Sequence, residues 1–194
     1  WIGLLYSQAG QHLEQNPDDE KKVREIIRDV EEGDNENFEL MADLVDKSVH
    51  GQLETAYRSN VFYDIITFER DVVNSNLLSE GMDKLSELDR VYEIEGGEDE
   101  GCTVIELSDY EDKLGGMKKP YKILFRSDGT ATYTAKDISL TMWKFGLLDS
   151  NFKYKEFDQQ PNGKTLWSTG GQEEKEFGSA DKHINVVGEP QSYV

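Results

Sequence analysis

Cysteine is almost missing from this chain. Cys102 stands alone, so neither an intrachain disulfide nor a four-thiolate zinc site can form within it, and a free thiol suits a reducing compartment. No apolar run approaches the roughly eighteen residues of a membrane span, and no signal-peptide pattern opens the chain. Basic residues are scarce as well: 21 Lys and Arg face 40 Asp and Glu, a net charge of −19 over 194 residues. Charge of that sign repels phosphates and anionic lipid, so nucleic acid and polybasic membrane contacts are excluded as expectations. Hydrophobic residues make up 36%, yet eight Phe, nine Tyr and three Trp are too many for a disordered acidic tail. Most of the chain is expected to fold.

The acidity is uneven. Residues 1–100 hold 26 acidic and 9 basic side chains, residues 101–194 hold 14 and 12, and the hydrophobic period changes at the same place. In the first half, Asn16-Pro17-Asp18-Asp19-Glu20 reads as a helix start, followed by Val23, Ile26, Ile27 and Val30 at helical spacing and a stop at Gly33. Phe38, Met41, Val45 and Val49 mark a second stripe ending near His50-Gly51. Leu53, Tyr57, Val61, Ile65, Phe68 and Val72 predict one long seam, and Leu78, Met82, Leu85, Leu88 and Tyr92 another. In the second half, Thr103–Leu107 is a β-branched run, and Tyr121, Ile123 and Phe125 lead through Ser127-Asp128-Gly129-Thr130 into Thr130–Thr134 as a hairpin. Residues 138–148 fit a strand or a short helix capped by Asp137, and 152–157 with 165–168 fit a second hairpin. The expected fold class is therefore α+β: an N-terminal antiparallel helical bundle over 1–94, a linker at 95–101, a small antiparallel β domain over 102–169 and an extended polar tail over 170–194.

Motifs that would carry chemistry are mostly missing. The di-iron pattern of carboxylate-rich bundles needs Glu-x-x-His, whereas Ala9, Lys47 and Ala180 precede His12, His50 and His183 by three residues. Phosphate-loop, dinucleotide, zinc-protease and calcium-loop spacings are absent, so no cofactor and no metal is expected. Cys102, His183 and Asn185 have the residue types of a cysteine hydrolase, but the acidic run before Cys102 is not the electropositive setting expected around a nucleophilic thiol. Ser179-Ala180-Asp181-Lys182 matches Ser-x-x-Lys without its companion motifs.

Asp149-Ser150-Asn151 followed by Asn162-Gly163-Lys164-Thr165-Leu166-Trp167-Ser168-Thr169-Gly170 resembles one strand pair of the bulb-type mannose lectins. That family's alternating sugar-site residues fall here on Leu147, Asp149, Asn151, Lys153 and Lys155, of which Asp149 and Asn151 match. The resemblance implies a carbohydrate-binding module.

The remaining candidates are aromatic. Trp143, Tyr154 and Trp167 read either as the core of a small sheet or as partner-binding anchors, and Trp1 and Ile2 at the start have the same two readings. The expectation drawn is a non-catalytic accessory or scaffold subunit that docks on protein subunits of a larger assembly through these five residues. A chain opening on Trp1 reads as a fragment or as a processed form, and the processed reading implies export or import into an organelle. An extrinsic subunit of a plastid photosynthetic membrane complex, in the stroma, is the example, with the cytoplasm as the other location. The alternatives are the lectin-like module, a phage or virus structural protein, and a cysteine hydrolase.

Overall fold

The computed structural model describes residues 2–33, 35–110 and 119–186. The chain forms two compact units that divide after Asp64, with Gln159–Thr165 belonging to the first. No helix among the described residues is long and apolar enough to cross a membrane.

The first unit is helical: α1 (Ile2–Gln15), a 3-10 turn at Pro17–Asp19, α2 (Glu20–Glu32) and α3 (Glu36–Arg58). Pro17 opens its turn as the sequence predicts, because its missing N–H is one that a helix start leaves unbonded anyway. Gly33, at a φ of 71°, closes α2, and the Asn35 side chain caps α3 by accepting the Phe38 N–H at 2.9 Å. Asn37 ties the two helices together by donating to the Asp29 carboxylate at 2.8 Å. Gln160 completes the unit. Its amide accepts from the Tyr63 N–H at 3.0 Å and donates to the Tyr63 carbonyl at 2.8 Å.

The second unit mixes helix and sheet. Strand β1 (Ile65–Ile66) pairs in parallel with β6 (Thr165–Thr169), with Ile65 opposite Trp167, and β5 (Tyr154–Gln159) lies on the other side of β6. A separate antiparallel sheet holds β2 (Val91–Glu93), β3 (Thr103–Glu106) and β4 (Tyr121–Phe125) in that order. The helices are α4 (Glu69–Asn74), α5 (Leu77–Ser86) and α6 (Tyr133–Lys144). α5 and α6 approach closely at Gly81, where an added Cβ would lie 2.6 Å from Ser139 Oγ and 3.3 Å from Ser139 Cα. The core gathers Val72, Leu77, Trp143, Leu148, Phe152 and Tyr154.

The chain is α+β, but the sequence placed several elements wrongly. The expected stop at Gly51 does not occur, because one glycine in a helix interior costs about 1 kcal/mol and α3 runs on through it. The long seam over 53–72 breaks instead at Asn60, whose φ of 58° suits the short polar Asn side chain. Beyond it the β-branched Ile65 and Ile66 form a strand and Glu69 starts a new helix. Tyr92, read as the end of a helical stripe, lies in β2. The antiparallel helical bundle expected over the first 94 residues is thus replaced by three helices and then mixed structure. The segment 95–101, expected as a linker, joins β2 to β3, with Gly101 N–H donating to the Ile94 carbonyl at 2.9 Å. Thr130–Thr134 does not return as a strand: the Asp128–Thr130 turn forms, but α6 begins at Tyr133 and settles 138–148 largely as helix. Residues 170–186, expected as an extended polar tail, carry a single β-bridge from Glu173 to Tyr154, and Phe177 packs edge-on against Tyr154 at 5.0 Å between centroids. Residues 187–194 lie outside the described residues.

Candidate functional site

The start of α6 is tied to β4. Thr132 N–H donates to the Leu124 carbonyl at 2.8 Å, and its hydroxyl donates to the Ile123 carbonyl at 2.6 Å, so β4 fixes where the helix starts. One face of α6, with Ala135, Ser139 and Trp143 at four-residue spacing, is buried. Tyr133 and Asp137, also four apart, share a different face and interact with each other. Glu69, the first residue of α4, approaches them closely enough to act on both electrostatically, and Lys136 Nζ lies 2.7 Å from Glu69 Oε1.

The electrostatics of this group are those of a site short of positive charge. Burial pushes the Asp137 carboxyl above its usual range; Tyr133 opposes this by hydrogen bonding, Glu69 adds to it by repulsion, and Lys144 opposes it more weakly. The Tyr133 phenol is pushed up, first by the Asp137 charge and then by burial. Further along α6, burial holds the Lys144 ammonium below its usual range, and Lys144 Nζ sits 3.1 Å from His183 Nε2. The His183 imidazole is lowered by burial and by Lys144. The half-buried Asp137 carboxylate, the exposed Glu69 carboxylate and the Tyr133 phenol oxygen offer acceptors, with Lys136 bonded to Glu69 and Lys144 acting on Asp137 from further along the helix. Such a set accepts a cation with several N–H groups.

The aromatic candidates lie elsewhere. Trp143 is 5% exposed and Tyr154 fully buried, and both belong to the core. Trp143 Nε1 and the Tyr154 hydroxyl donate to the same Asn151 Oδ1, at 2.8 and 2.7 Å. Burial pushes the Tyr154 phenol up to about 12. Trp167 is half-buried, packs against the same core and carries Lys175 Nζ 3.8 Å from its ring centroid. The structure therefore brings Trp143, Tyr154 and Trp167 together around one core. Ile2 opens α1, and Trp1 lies outside the described residues. Cys102 is buried just before β3, while His183 stacks edge-on against Phe145 at 6.2 Å. Sequence reasoning missed Glu69, Tyr133 and Asp137. The usable signal was the four-residue spacing of Tyr133 and Asp137, hidden because 130–134 read as a strand.

Comparison with known proteins changes the functional reading. Residues 2–155 match the family model described as tRNA synthetases class I (R), catalytic domain. The chain is 36% identical over 195 residues to the arginine–tRNA ligase of Thermococcus kodakarensis, covering 99% of this chain and 30% of that protein. It is 34% identical to the Deinococcus radiodurans ligase over 197 residues, covering 100% of this chain and 30% of that protein. The solved arginyl-tRNA synthetase of Thermus thermophilus superposes with a TM-score of 0.71 at 28% identity, covering 96% of this chain and 30% of that one. The chain spans about 30% of the length of the curated relatives it matches.

These matches overturn the accessory-subunit expectation and its example of a photosynthetic membrane complex, together with the non-enzyme reading and the lectin, viral and cysteine-hydrolase alternatives. They also overturn the exclusion of nucleic acid, since the relatives are named for tRNA. Net charge is a weak guide to such partners because it averages over a surface, while nucleic acid is contacted through particular patches. With a family model matched over most of its length and relatives of 34–36% identity aligned over nearly all of it, the chain belongs to the class I tRNA synthetase (R) catalytic-domain family.

Proposed function

We propose that this chain forms part of the amino-acid site of an arginine–tRNA ligase, and that Glu69, Tyr133 and Asp137 receive the side-chain guanidinium of arginine. The observation that carries the reading is the half-buried Asp137 carboxyl, which burial pushes above its usual range on a helix whose first turn is pinned by β4. A guanidinium is planar, permanently charged and carries five N–H donors in a fixed fork, so it can bond a carboxylate through two parallel contacts. Bound beside Asp137, it would supply the positive charge that burial and Glu69 leave wanting. The phenol oxygen of Tyr133 adds an acceptor one helical turn away. Arginine, ATP and tRNA are the proposed substrates of the protein that carries this chain, and the residues argued here serve only the arginine side chain.

The test is calorimetric titration of L-arginine into the protein carrying this chain, as wild type and as Asp137→Asn. Removing one member of a desolvated, hydrogen-bonded charge pair costs roughly 2–5 kcal/mol, so affinity should fall about a hundredfold. Because only the ionised carboxyl accepts both N–H bonds, wild-type affinity should fall as pH drops through the raised Asp137 pKa, and Asp137→Asn should lose that dependence. Unchanged affinity in the variant would sink the reading.

A further inference from the structure

Glu69 is a poor anchor by itself. It is the first residue of α4, its side chain is 63% exposed, and Asp137, a like charge, lies near enough to be pushed up by it. A long carboxylate so placed should swing into water, away from its neighbour. Lys136 opposes this: its Nζ is 2.7 Å from Glu69 Oε1, its side chain is 21% exposed, and it is flanked on α6 by the buried Ala135 and by Asp137 itself. Its ammonium lies within ion-pairing distance of Glu69. An ion pair with so exposed a member adds little to stability, typically about 0–1 kcal/mol. Its more informative feature is geometry, because the bond goes to Oε1 and, among the described residues, none is made to Oε2.

We propose that Lys136 is a positioning residue for arginine, holding the Glu69 carboxylate beside Tyr133 and Asp137 so that the guanidinium meets two carboxylates already in place. The proposal rests on the guanidinium reading above. It assigns Lys136 no contact with the substrate; it acts through Glu69. Preorganisation of this kind affects binding of the ground state and the transition state alike, so it appears in KM and leaves kcat nearly unchanged.

Arginine-dependent aminoacylation by the protein carrying this chain tests it. Lys136→Met should raise the arginine KM about fivefold, the size of a coupling between neighbouring charged side chains, with kcat within about twofold. Lys136→Arg, which keeps the cation, should restore KM to near wild type, and Lys136→Gln serves if the Met variant folds poorly. Glu69→Gln should raise KM at least as much, and Lys136→Met on that background should add nothing. The proposal fails if Lys136→Met and Lys136→Gln leave KM unchanged, if Lys136→Arg does not rescue, or if the Lys136 and Glu69 effects multiply independently. A merely structural lysine would give equal losses in both backgrounds and a lowered kcat. Asp137→Asn separates the two ideas: retained arginine affinity there overturns the site itself, whereas lost affinity with an indifferent Lys136 overturns only the positioning role.

Discussion

The two units of this chain use apolar residues in opposite ways. In α1, α2 and α3, Leu53 is the buried hydrophobic residue among those described, while Leu4, Leu5, Tyr6, Ile26, Ile27, Leu40 and Met41 are exposed. The second unit holds Val72, Leu77, Trp143, Leu148, Phe152 and Tyr154 in one packed cluster, with Val104 and Leu124 buried in its antiparallel sheet. Helical spacing is visible in both units, at Val23, Ile26, Ile27 and Val30 in the first and at Leu78, Met82 and Leu85 in the second. The comparison teaches that a period reports which face of an element is apolar and says nothing about whether that face is covered.

The sharpest way to break the comparison is to remove matching apolar groups from each unit. Phe152→Ala takes out a ring that is 3% exposed and packs edge-on against Trp143 at 4.9 Å. It should cost about 3–5 kcal/mol of unfolding free energy, read by denaturant titration. Next in size comes Glu80, whose carboxylate accepts the Asp149 and Ser150 N–H groups at 2.7 and 2.9 Å and is held at about 2, chiefly by the Asp149 bond. Glu80→Ala should cost about 2 kcal/mol at neutral pH, the usual size for hydrogen bonds to a charged group. The sign follows from linkage: a lowered folded-state pKa gives stability that is complete above the ordinary value of 4.5 and fades as pH falls toward about 2. The variant should therefore show a flatter acid limb in thermal melts. Ile27→Ala in α2, at a side chain 52% exposed, should change stability least, by no more than about 0.5 kcal/mol, with gained helix propensity offsetting lost contact. If Ile27→Ala proved as costly as Phe152→Ala, the exposed helical face would be covered in solution and the contrast between the units would disappear.

What could be read in advance followed local chemistry. Pro17, Gly33 and the Asp128–Gly129 turn were legible because backbone restriction and short side-chain bonds act within a few residues. The β5–β6 hairpin was legible from alternation around Asn162-Gly163. The break at Asn60 was not, since Leu53, Tyr57, Val61 and Ile65 keep helical spacing straight across it and only β1 pairing with β6, a hundred residues away in sequence, decides otherwise. The candidate site failed for a similar reason. Glu69 and Asp137 are 68 positions apart and were drawn to different expected domains, so no window along the chain contains both. Aromatic residues drew attention as partner anchors, but Trp143 and Tyr154 spend their polar ends on Asn151 and their rings on the core.

The paired bonds between Gln160 and residue 63 carry a consequence for how the sequence can drift. Every atom contributed by Tyr63 to that contact belongs to the main chain, whereas Gln160 contributes its side-chain amide and is 4% exposed. Any amino acid with an N–H can stand at 63 without touching the bonds, proline alone being barred, while at 160 the amide must be both donor and acceptor at one length. Glutamate offers no donor, and asparagine is one carbon short. Saturation mutagenesis should accordingly find a permissive site and a nearly fixed one facing each other across 97 residues of sequence, and a map of tolerance drawn without the structure would give no reason to pair them.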